Sequence, residues 1–107
     1  MNNLTASELA AWLNDDTQPQ PLLLDVREAW EFQTCHISGS VLIPMNTIPD
    51  KLSELDLKQA VVCICHHGMR SMQVAHFLEQ RGFSDVSNLS GGVDAWALQV
   101  DNTMPTY

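Results

Sequence analysis

Short apolar runs alternate with helical segments along most of this chain, and this alternation restricts the fold more than any other feature. The apolar runs cover residues 22–26, 41–43, 60–65 and 86–89. Strands that read as nearly continuous apolar runs are typical of parallel sheets covered on both faces. We therefore predict an α/β fold, with a mainly parallel sheet of four or five strands and helices on both faces.

The segments between the strands carry signals of helix formation. Thr5 and Glu8 have the spacing of a capping box, which predicts a helix that begins near Ala6. The apolar face of this helix would consist of Leu9, Trp12 and Leu13. Further helices are predicted over residues 27–33, 48–57 and 71–81, and after the Gly91-Gly92 pair. The residues from Gln99 onward show no such pattern, and we expect this tail to be loosely held.

The composition fits one globular domain and excludes several functions. A chain of 107 residues has room for one hydrophobic core, so we predict a single domain over residues 1–107. Thirteen acidic residues against five basic ones give a net charge of −8, which argues against binding to nucleic acid or to anionic membranes. No apolar run approaches the roughly 20 residues of a membrane span, and the first residues do not resemble a secretory signal. The cytoplasm is therefore the expected location.

The three cysteines, Cys35, Cys63 and Cys65, do not suggest a disulfide framework. Cys63 lies inside a predicted strand and is expected in the core. Together with His66 and His67, the last two cysteines offer sulfur and nitrogen ligands. One strand end and a tight loop cannot easily wrap four such neighbours around a tetrahedral metal ion, however. We therefore expect neither a metal site nor a cofactor.

A thiol, a tight loop and a helix follow one another in the sequence CHHGMRS. Cys65 ends the central strand, Gly68 permits a sharp turn, and Ser71 is placed to cap the next helix. Inward-pointing N–H groups of such a loop, together with the helix dipole, bind anions and favour a thiolate. Arg70 adds a planar cation that suits oxyanions. Cys65 is thus the candidate catalytic nucleophile, and the expected substrate-binding residues are His66, His67, Gly68, Met69, Arg70 and Ser71.

Three segments of the chain together resemble the rhodanese family, the thiosulfate sulfurtransferases. The family's active-site loop is similar to CHHGMRS, its first signature to LLLDVREAWEFQTCHISGSVLIP, and its closing signature to NLSGGVDAW. The three segments occur in the family's order and extend over residues 22–97. The resemblance implies a rhodanese-like fold in its short, single-domain form.

The resemblance also implies a two-step sulfur transfer. The Cys65 thiolate attacks the outer sulfur of thiosulfate, sulfite leaves, and a persulfide remains on Cys65. A thiol or cyanide then removes that sulfur. Arg70 would bind the sulfonate end of thiosulfate, or it would turn outward into a surface ion pair and leave anion binding to the backbone.

Two further functions stay open on the sequence alone. The chain could be a persulfide carrier or protein-interaction module, which exchanges sulfur with a donor or acceptor protein and turns over little thiosulfate. A cysteine phosphatase or arsenate reductase is disfavoured, because four residues separate Cys65 from Arg70 and such phosphatases have one more. The presence of both residues favours the thiosulfate enzyme.

Two residues depart from the family pattern. Cys35 stands where the first signature usually has Gly, and Ser38 stands where Pro often occurs. Cys35 could resolve a Cys65 persulfide into a disulfide, but we favour its interpretation as a tolerated small apolar residue. Other noticeable side chains are expected in structural roles: an ion pair of Asp25 with Arg27, core or pocket-wall positions for Trp30, Phe32 and Trp96, and structural positions for His36 and His76.

Overall fold

The computed structural model describes residues 1–107 and is built around a five-stranded sheet. The strands are β1 (Asn2–Leu4), β2 (Leu22–Asp25), β3 (Val41–Leu42), β4 (Val61–Ile64) and β5 (Val86–Leu89). All of them run parallel, in the order β1-β5-β4-β2-β3. The predicted α/β fold with a parallel sheet is confirmed.

Five α-helices connect and cover the strands. They are α1 (Ala6–Leu13), α2 (Ala29–Thr34), α3 (Ile48–Lys51), α4 (Met69–Gln80) and α5 (Gly92–Gln99). The capping box at the start of α1 is present, since Thr5 Oγ1 accepts from the Glu8 N–H at 3.1 Å and Glu8 Oε1 accepts from the Thr5 N–H at 2.8 Å. None of the helices combines the length and the apolar character that crossing a membrane would require.

The sheet separates two apolar layers. On one face α1 and α5 pack through residues such as Leu9 and Trp96. On the other face α3 and α4 pack through residues such as Ile48 and Leu78. All four residues of β4 are buried, because this strand lies in the middle of the sheet with helices on both sides. The residue that follows β4 is therefore delivered to the centre of the carboxyl edge, where parallel sheets bind ligands.

The structure corrects two predictions about elements. The polar segment Asn2–Leu4 forms β1, which pairs with β5, although it has no apolar run that would predict a strand. The helix predicted over residues 48–57 ends at Lys51 and continues as a 3-10 turn, Leu52–Glu54. This segment buries only Ile48, so little packing energy supports a longer helix.

The tail after Gln99 is held against the domain, contrary to the prediction that it would be loose. Met104 packs against the apolar layer that contains α1 and α5. The Tyr107 hydroxyl accepts a hydrogen bond from Arg27 Nη1 at 2.8 Å and donates one to Glu31 Oε1 at 2.9 Å. Buried polar groups need such partners, and here the tail supplies one.

Candidate active site

Cys65 lies directly after β4 and is almost completely buried, with 1% of its surface exposed. Its Sγ accepts hydrogen bonds from the backbone N–H groups of Gly68, at 3.1 Å, and Ser71, at 3.3 Å. Both donors belong to the turn that opens α4, so the sulfur also lies at the positive end of the helix dipole. Two N–H donors and a helix start stabilise a negative charge on this sulfur.

The helix after the loop begins at Met69, two residues before the predicted start. Gly68 is its N-cap, with φ of 103°, a left-handed conformation that favours glycine. A Cβ on Gly68 would lie 3.1 Å from the Leu89 carbonyl oxygen and 3.2 Å from the Gly91 nitrogen. Ser71 is therefore not the cap. It lies in the first turn of α4, where its N–H reaches the thiol.

Asn88 of β5, which sequence reasoning missed, holds the loop and the first turn of α4 through hydrogen bonds of its side-chain amide. Asn88 is 1% exposed, and its Nδ2 donates to the Gly68 carbonyl oxygen at 3.1 Å. The Gly68 carbonyl can only accept, so it takes the NH₂ group of Asn88, and Oδ1 of Asn88 is left to face Ser71. The Ser71 hydroxyl donates to this Oδ1. The same hydroxyl oxygen lies 3.2 Å from Cys65 Sγ. The signal in the sequence was an amide inside the otherwise buried strand VSNL.

The start of α5 holds the loop from the other side. The N–H groups of Val93 and Asp94 donate to the carbonyl oxygens of Cys65, at 2.9 Å, and His66, at 3.1 Å. Gly92, with φ of 58°, lies so close to these carbonyls that a Cβ would overlap both of them. The segment NLSGGVDAW thus supports the loop that carries the nucleophile through hydrogen bonds to its backbone.

Arg70 forms a bidentate ion pair with Glu31 of α2. Its Nη1 and Nη2 donate to Glu31 Oε2 and Oε1, at 2.8 Å each. These hydrogen bonds lower the pKa of Glu31 to about 2, so this carboxylate is ionised at neutral pH. The cation that sequence reasoning assigned to substrate is therefore engaged by a buried carboxylate. No local signal in the sequence marks Glu31, because the two partners of this ion pair are 39 positions apart in the chain.

Four rings form a row beside the loop, which we call the aromatic row: Trp30, Tyr107, His66 and His67. Ring centroids are 5.4 Å apart for Trp30 and Tyr107, 4.2 Å for Tyr107 and His66, and 4.1 Å for His66 and His67. Burial lowers the pKa of His66, which keeps this ring neutral at pH 7. Trp30 is 61% exposed, so of the two expected positions, core or pocket wall, the core position is wrong for this residue.

Other residues noted in the sequence lie outside the immediate site. Asp25 and Arg27 form a fully buried ion pair with Nη2 to Oδ2 at 2.7 Å, as expected. Burial raises the pKa of the Cys63 thiol to about 12, which suits a core residue. Cys35 is a buried free thiol whose Sγ lies 3.9 Å from Arg27 Nη1. No three side chains of the metal-binding types lie close enough to hold an ion.

The remaining aromatic, imidazole and thioether side chains have simple surroundings. Trp96 is buried in the core, whereas Phe32 is half-buried and stacks on His36 with centroids 4.0 Å apart. His76 lies on the exposed side of α4, with Nδ1 at 3.9 Å from Glu79 Oε1. Met69, expected among the substrate-binding residues, points to solvent with 76% exposed.

The rhodanese-like domain family matches residues 5–99 of the chain. The chain belongs to this family. Among rhodanese-like relatives, the thiosulfate sulfurtransferase GlpE of Pseudomonas savastanoi pv. phaseolicola is 40% identical over 75 residues, which cover 70% of this chain and 71% of GlpE. A rhodanese-like domain protein from Staphylococcus aureus has a similar crystal structure, with a TM-score of 0.82 at 35% identity over 90% of this chain and 91% of that one.

Other rhodanese-like relatives are much longer proteins. The adenylyltransferase and sulfurtransferase MOCS3-2 of Zea mays is 38% identical over 89% of this chain, which covers 21% of that protein. The chain spans 21% to 38% of the length of several curated relatives that it matches. Family membership therefore identifies a sulfurtransferase-type domain, and the donor and acceptor must be argued from the site.

Proposed function

We propose that this rhodanese-like domain transfers sulfane sulfur, from thiosulfate or another donor, through a persulfide on Cys65. The observation that carries the proposal is the pair of N–H donors from Gly68 and Ser71 on Cys65 Sγ. They hold negative charge on the thiolate before the reaction and on the persulfide after it. The name of the relative GlpE, a thiosulfate sulfurtransferase, supports thiosulfate as one donor.

The proposed reaction has two steps. The Cys65 thiolate attacks the outer sulfur of thiosulfate, a new S–S bond forms, and sulfite leaves with the electron pair of the broken S–S bond. Cyanide or a thiolate then attacks the outer sulfur of the persulfide and leaves as thiocyanate or a new persulfide, which returns Cys65 to its thiolate. Neither step needs a cofactor. A protein with three free cysteines suits the reducing cytoplasm, where we expect it to act.

In this proposal the loop from His66 through Met69 and the first turn of α4 bind the donor mainly through the backbone. Gly68 and Ser71 supply the N–H groups, and His66 and His67 form part of the wall. Arg70 is occupied by Glu31 and supports the loop. Four residues between nucleophile and arginine continue to disfavour a cysteine phosphatase or arsenate reductase.

A persulfide carrier is the second candidate, and the exposed side chains at the site favour it. Trp30 is 61% and Met69 76% exposed beside a buried nucleophile, and exposed apolar side chains of this size are common in protein interfaces. The relative MOCS3-2, which is named as an adenylyltransferase and sulfurtransferase, joins a similar domain to further sequence. As a carrier, Cys65 would be loaded faster by a protein persulfide than by thiosulfate.

The test is steady-state transfer of sulfur from thiosulfate to cyanide, measured as thiocyanate formed. We expect Cys65→Ser to reduce the rate to the uncatalysed level. Cys35→Ser and Cys63→Ala are matched controls that remove the other thiols, and both should keep activity within a few-fold of the wild type. Full activity of Cys65→Ser would contradict the proposal, and hydrolysis of an aryl phosphate by wild-type protein would favour the phosphatase instead.

A further inference from the structure

We propose that Glu31 sets the charge selectivity of this site, so that sulfur donors with one negative charge are favoured over dianionic thiosulfate. The favoured class is an organic sulfane donor, either a persulfide anion R–S–S⁻ or a thiosulfonate R–SO₂–S⁻. The inference rests on the proposed sulfur transfer at Cys65 and specifies its donor.

Four hydrogen bonds hold the Glu31 carboxylate in place. Arg70 donates to both of its oxygens at 2.8 Å, the Glu28 N–H donates to Oε2 at 2.8 Å, and the Tyr107 hydroxyl donates to Oε1 at 2.9 Å. The Glu31 side chain is 5% exposed, so the carboxylate is fixed and partly shielded from water. Arg70 keeps further N–H groups and its side chain is 38% exposed, but its charge is already compensated by this fixed carboxylate. A sulfonate oxygen beside Arg70 would therefore meet a neutralised cation and a nearby negative charge.

No other cation is free at the mouth of the site. Arg27 is fully buried and already paired with Asp25. His66 is kept neutral by burial, and His67 Nδ1 lies 3.8 Å from Asp94 Oδ2. Lys58 comes before β4 and Arg81 after α4, so both lie towards the amino edge of the sheet. Lys51, at the end of α3, has its Nζ 3.5 Å from Glu54 Oε2.

The charge that the loop can accommodate is therefore small. The N–H groups of Gly68 and Ser71 converge on one atom, the sulfur of Cys65, and can stabilise one negative charge there. Thiosulfate brings a second charge and releases sulfite as a dianion, which meets no uncompensated cation. An organic donor with a single charge avoids that electrostatic cost.

The aromatic row provides a surface for the organic group of such a donor. From His66, the residue after the nucleophile, the row extends through Tyr107 to Trp30, which are 37% and 61% exposed. An apolar group that extends from the reacting sulfur towards this row would gain contact with the rings, whereas the oxygens of thiosulfate would not.

Methanethiosulfonate is the matched probe, because a methyl group replaces one anionic oxygen of thiosulfate. The Cys65 thiolate attacks its terminal sulfur and forms the persulfide. The S–S bond to the sulfonyl group breaks, and methanesulfinate leaves with the electron pair. Atoms and charges balance, since two single anions give two single anions.

The experiment compares kcat/KM for both donors in the wild type, Glu31→Gln, Glu28→Gln and Arg70→Ala. Glu31→Gln frees the Arg70 charge, so kcat/KM for thiosulfate should rise about tenfold relative to methanethiosulfonate, the size expected for one charge-assisted hydrogen bond. Glu28→Gln removes the same charge nearby without touching Arg70 and should leave the ratio unchanged. Arg70→Ala should affect both donors equally.

Two results would overturn the inference alone: an unchanged donor ratio in Glu31→Gln, or a loss in Arg70→Ala that is tenfold or more greater for thiosulfate. The second result would show that Arg70 binds the additional oxygen, and it decides the matter even if Glu31→Gln does not fold. If neither donor loads wild-type Cys65, the proposed function fails together with this inference. Benzenethiosulfonate tests the aromatic row, because Trp30→Ala should lower its kcat/KM several-fold more than that of methanethiosulfonate, whose methyl group offers less apolar surface. Equal decreases for the two donors would contradict the contact.

Discussion

Cys63 on β4 and Cys65 directly after it differ in chemistry because of the atoms around their sulfurs. Cys63 is fully buried among apolar side chains, and this burial raises the pKa of its thiol to about 12. Cys65 is almost as buried, but its sulfur receives two backbone N–H groups at the start of a helix. Burial alone makes a thiol inert, whereas burial with preorganised donors makes a protected site for negative sulfur.

The ion pair of Arg70 and Glu31 makes stability depend on pH in a defined direction. Arg70 lowers the pKa of Glu31 from 4.5 to about 2. A group whose pKa is lowered by folding stabilises the folded state above its unfolded pKa, and this contribution is lost as the pH falls towards the folded value. We expect Glu31→Gln to lower the free energy of unfolding at neutral pH. The loss should be only about 1 to 2 kcal/mol, because solvent around Arg70 screens the ion pair.

Urea denaturation across a pH series tests this expectation. The difference in the free energy of unfolding between wild type and Glu31→Gln should be constant above about pH 5. It should shrink below about pH 4.5, because Glu31 of the unfolded chain binds its proton at a higher pH than Glu31 of the folded protein. Glu54→Gln is the control, because its exposed pair with Lys51 should produce no such change. A difference that stayed constant down to about pH 2.5 would contradict the assigned ion pair.

At the scale of elements, Gly92 shows how closely α5 approaches the loop, and Gly39 provides the comparison. A Cβ at Gly92 would overlap the carbonyl oxygens of Cys65 and His66, whereas one at Gly39, also in a left-handed conformation, would meet nothing within 4 Å. We expect Gly92→Ala to cost about 3 kcal/mol or more and to abolish sulfur transfer, because the loop must move. Gly39→Ala should cost about 1 kcal/mol from backbone strain and keep full activity. Thermal unfolding and the thiocyanate assay measure both effects, and equal losses in the two variants would refute the close approach.

The hydrogen bonds that connect β5 to the loop come from the side chain of Asn88. Asn88→Leu leaves the Gly68 carbonyl and the Ser71 hydroxyl without their buried partner, so we expect a loss of about 2 kcal/mol in stability and at least a tenfold lower kcat. Asn3→Ala removes only the outer hydrogen bond of Asn88, at 3.2 Å, and serves as the control. Similar kinetic losses in both variants would argue that β1 pairing, rather than the loop, is what Asn88 supports.

Elements with apolar patterns were predictable from sequence, and contacts between distant segments were not. The run 60–65 predicted β4 to within one residue at each end, since a buried strand needs continuous apolar side chains. The polar strand β1 was not predicted, because it is its pairing with β5 and not its composition that makes it a strand. The nucleophile and its loop followed from one local segment, while Glu31 and Asn88 reach that loop only through the tertiary fold.

At the scale of the whole molecule, the net charge of −8 opposes the approach of anionic donors. Salt screens this repulsion, so kcat/KM for thiosulfate should rise several-fold between about 10 mM and about 200 mM KCl. Alkylation of Cys65 by uncharged iodoacetamide over the same range is the control and should not change. A decrease in kcat/KM with added salt would mean that a local cation attracts the donor.

Sulfur transfer through Cys65 is tested most directly by intact mass after brief exposure to a sulfane donor. We would expose wild type, Cys65→Ser, Cys35→Ser and Cys63→Ala to thiosulfate and to methanethiosulfonate in parallel, and then to cyanide. The proposed function predicts a gain of one sulfur atom in every protein except Cys65→Ser, with loss of that sulfur and release of thiocyanate on addition of cyanide. A gain of sulfur in Cys65→Ser, or none in the wild type with either donor, would contradict it.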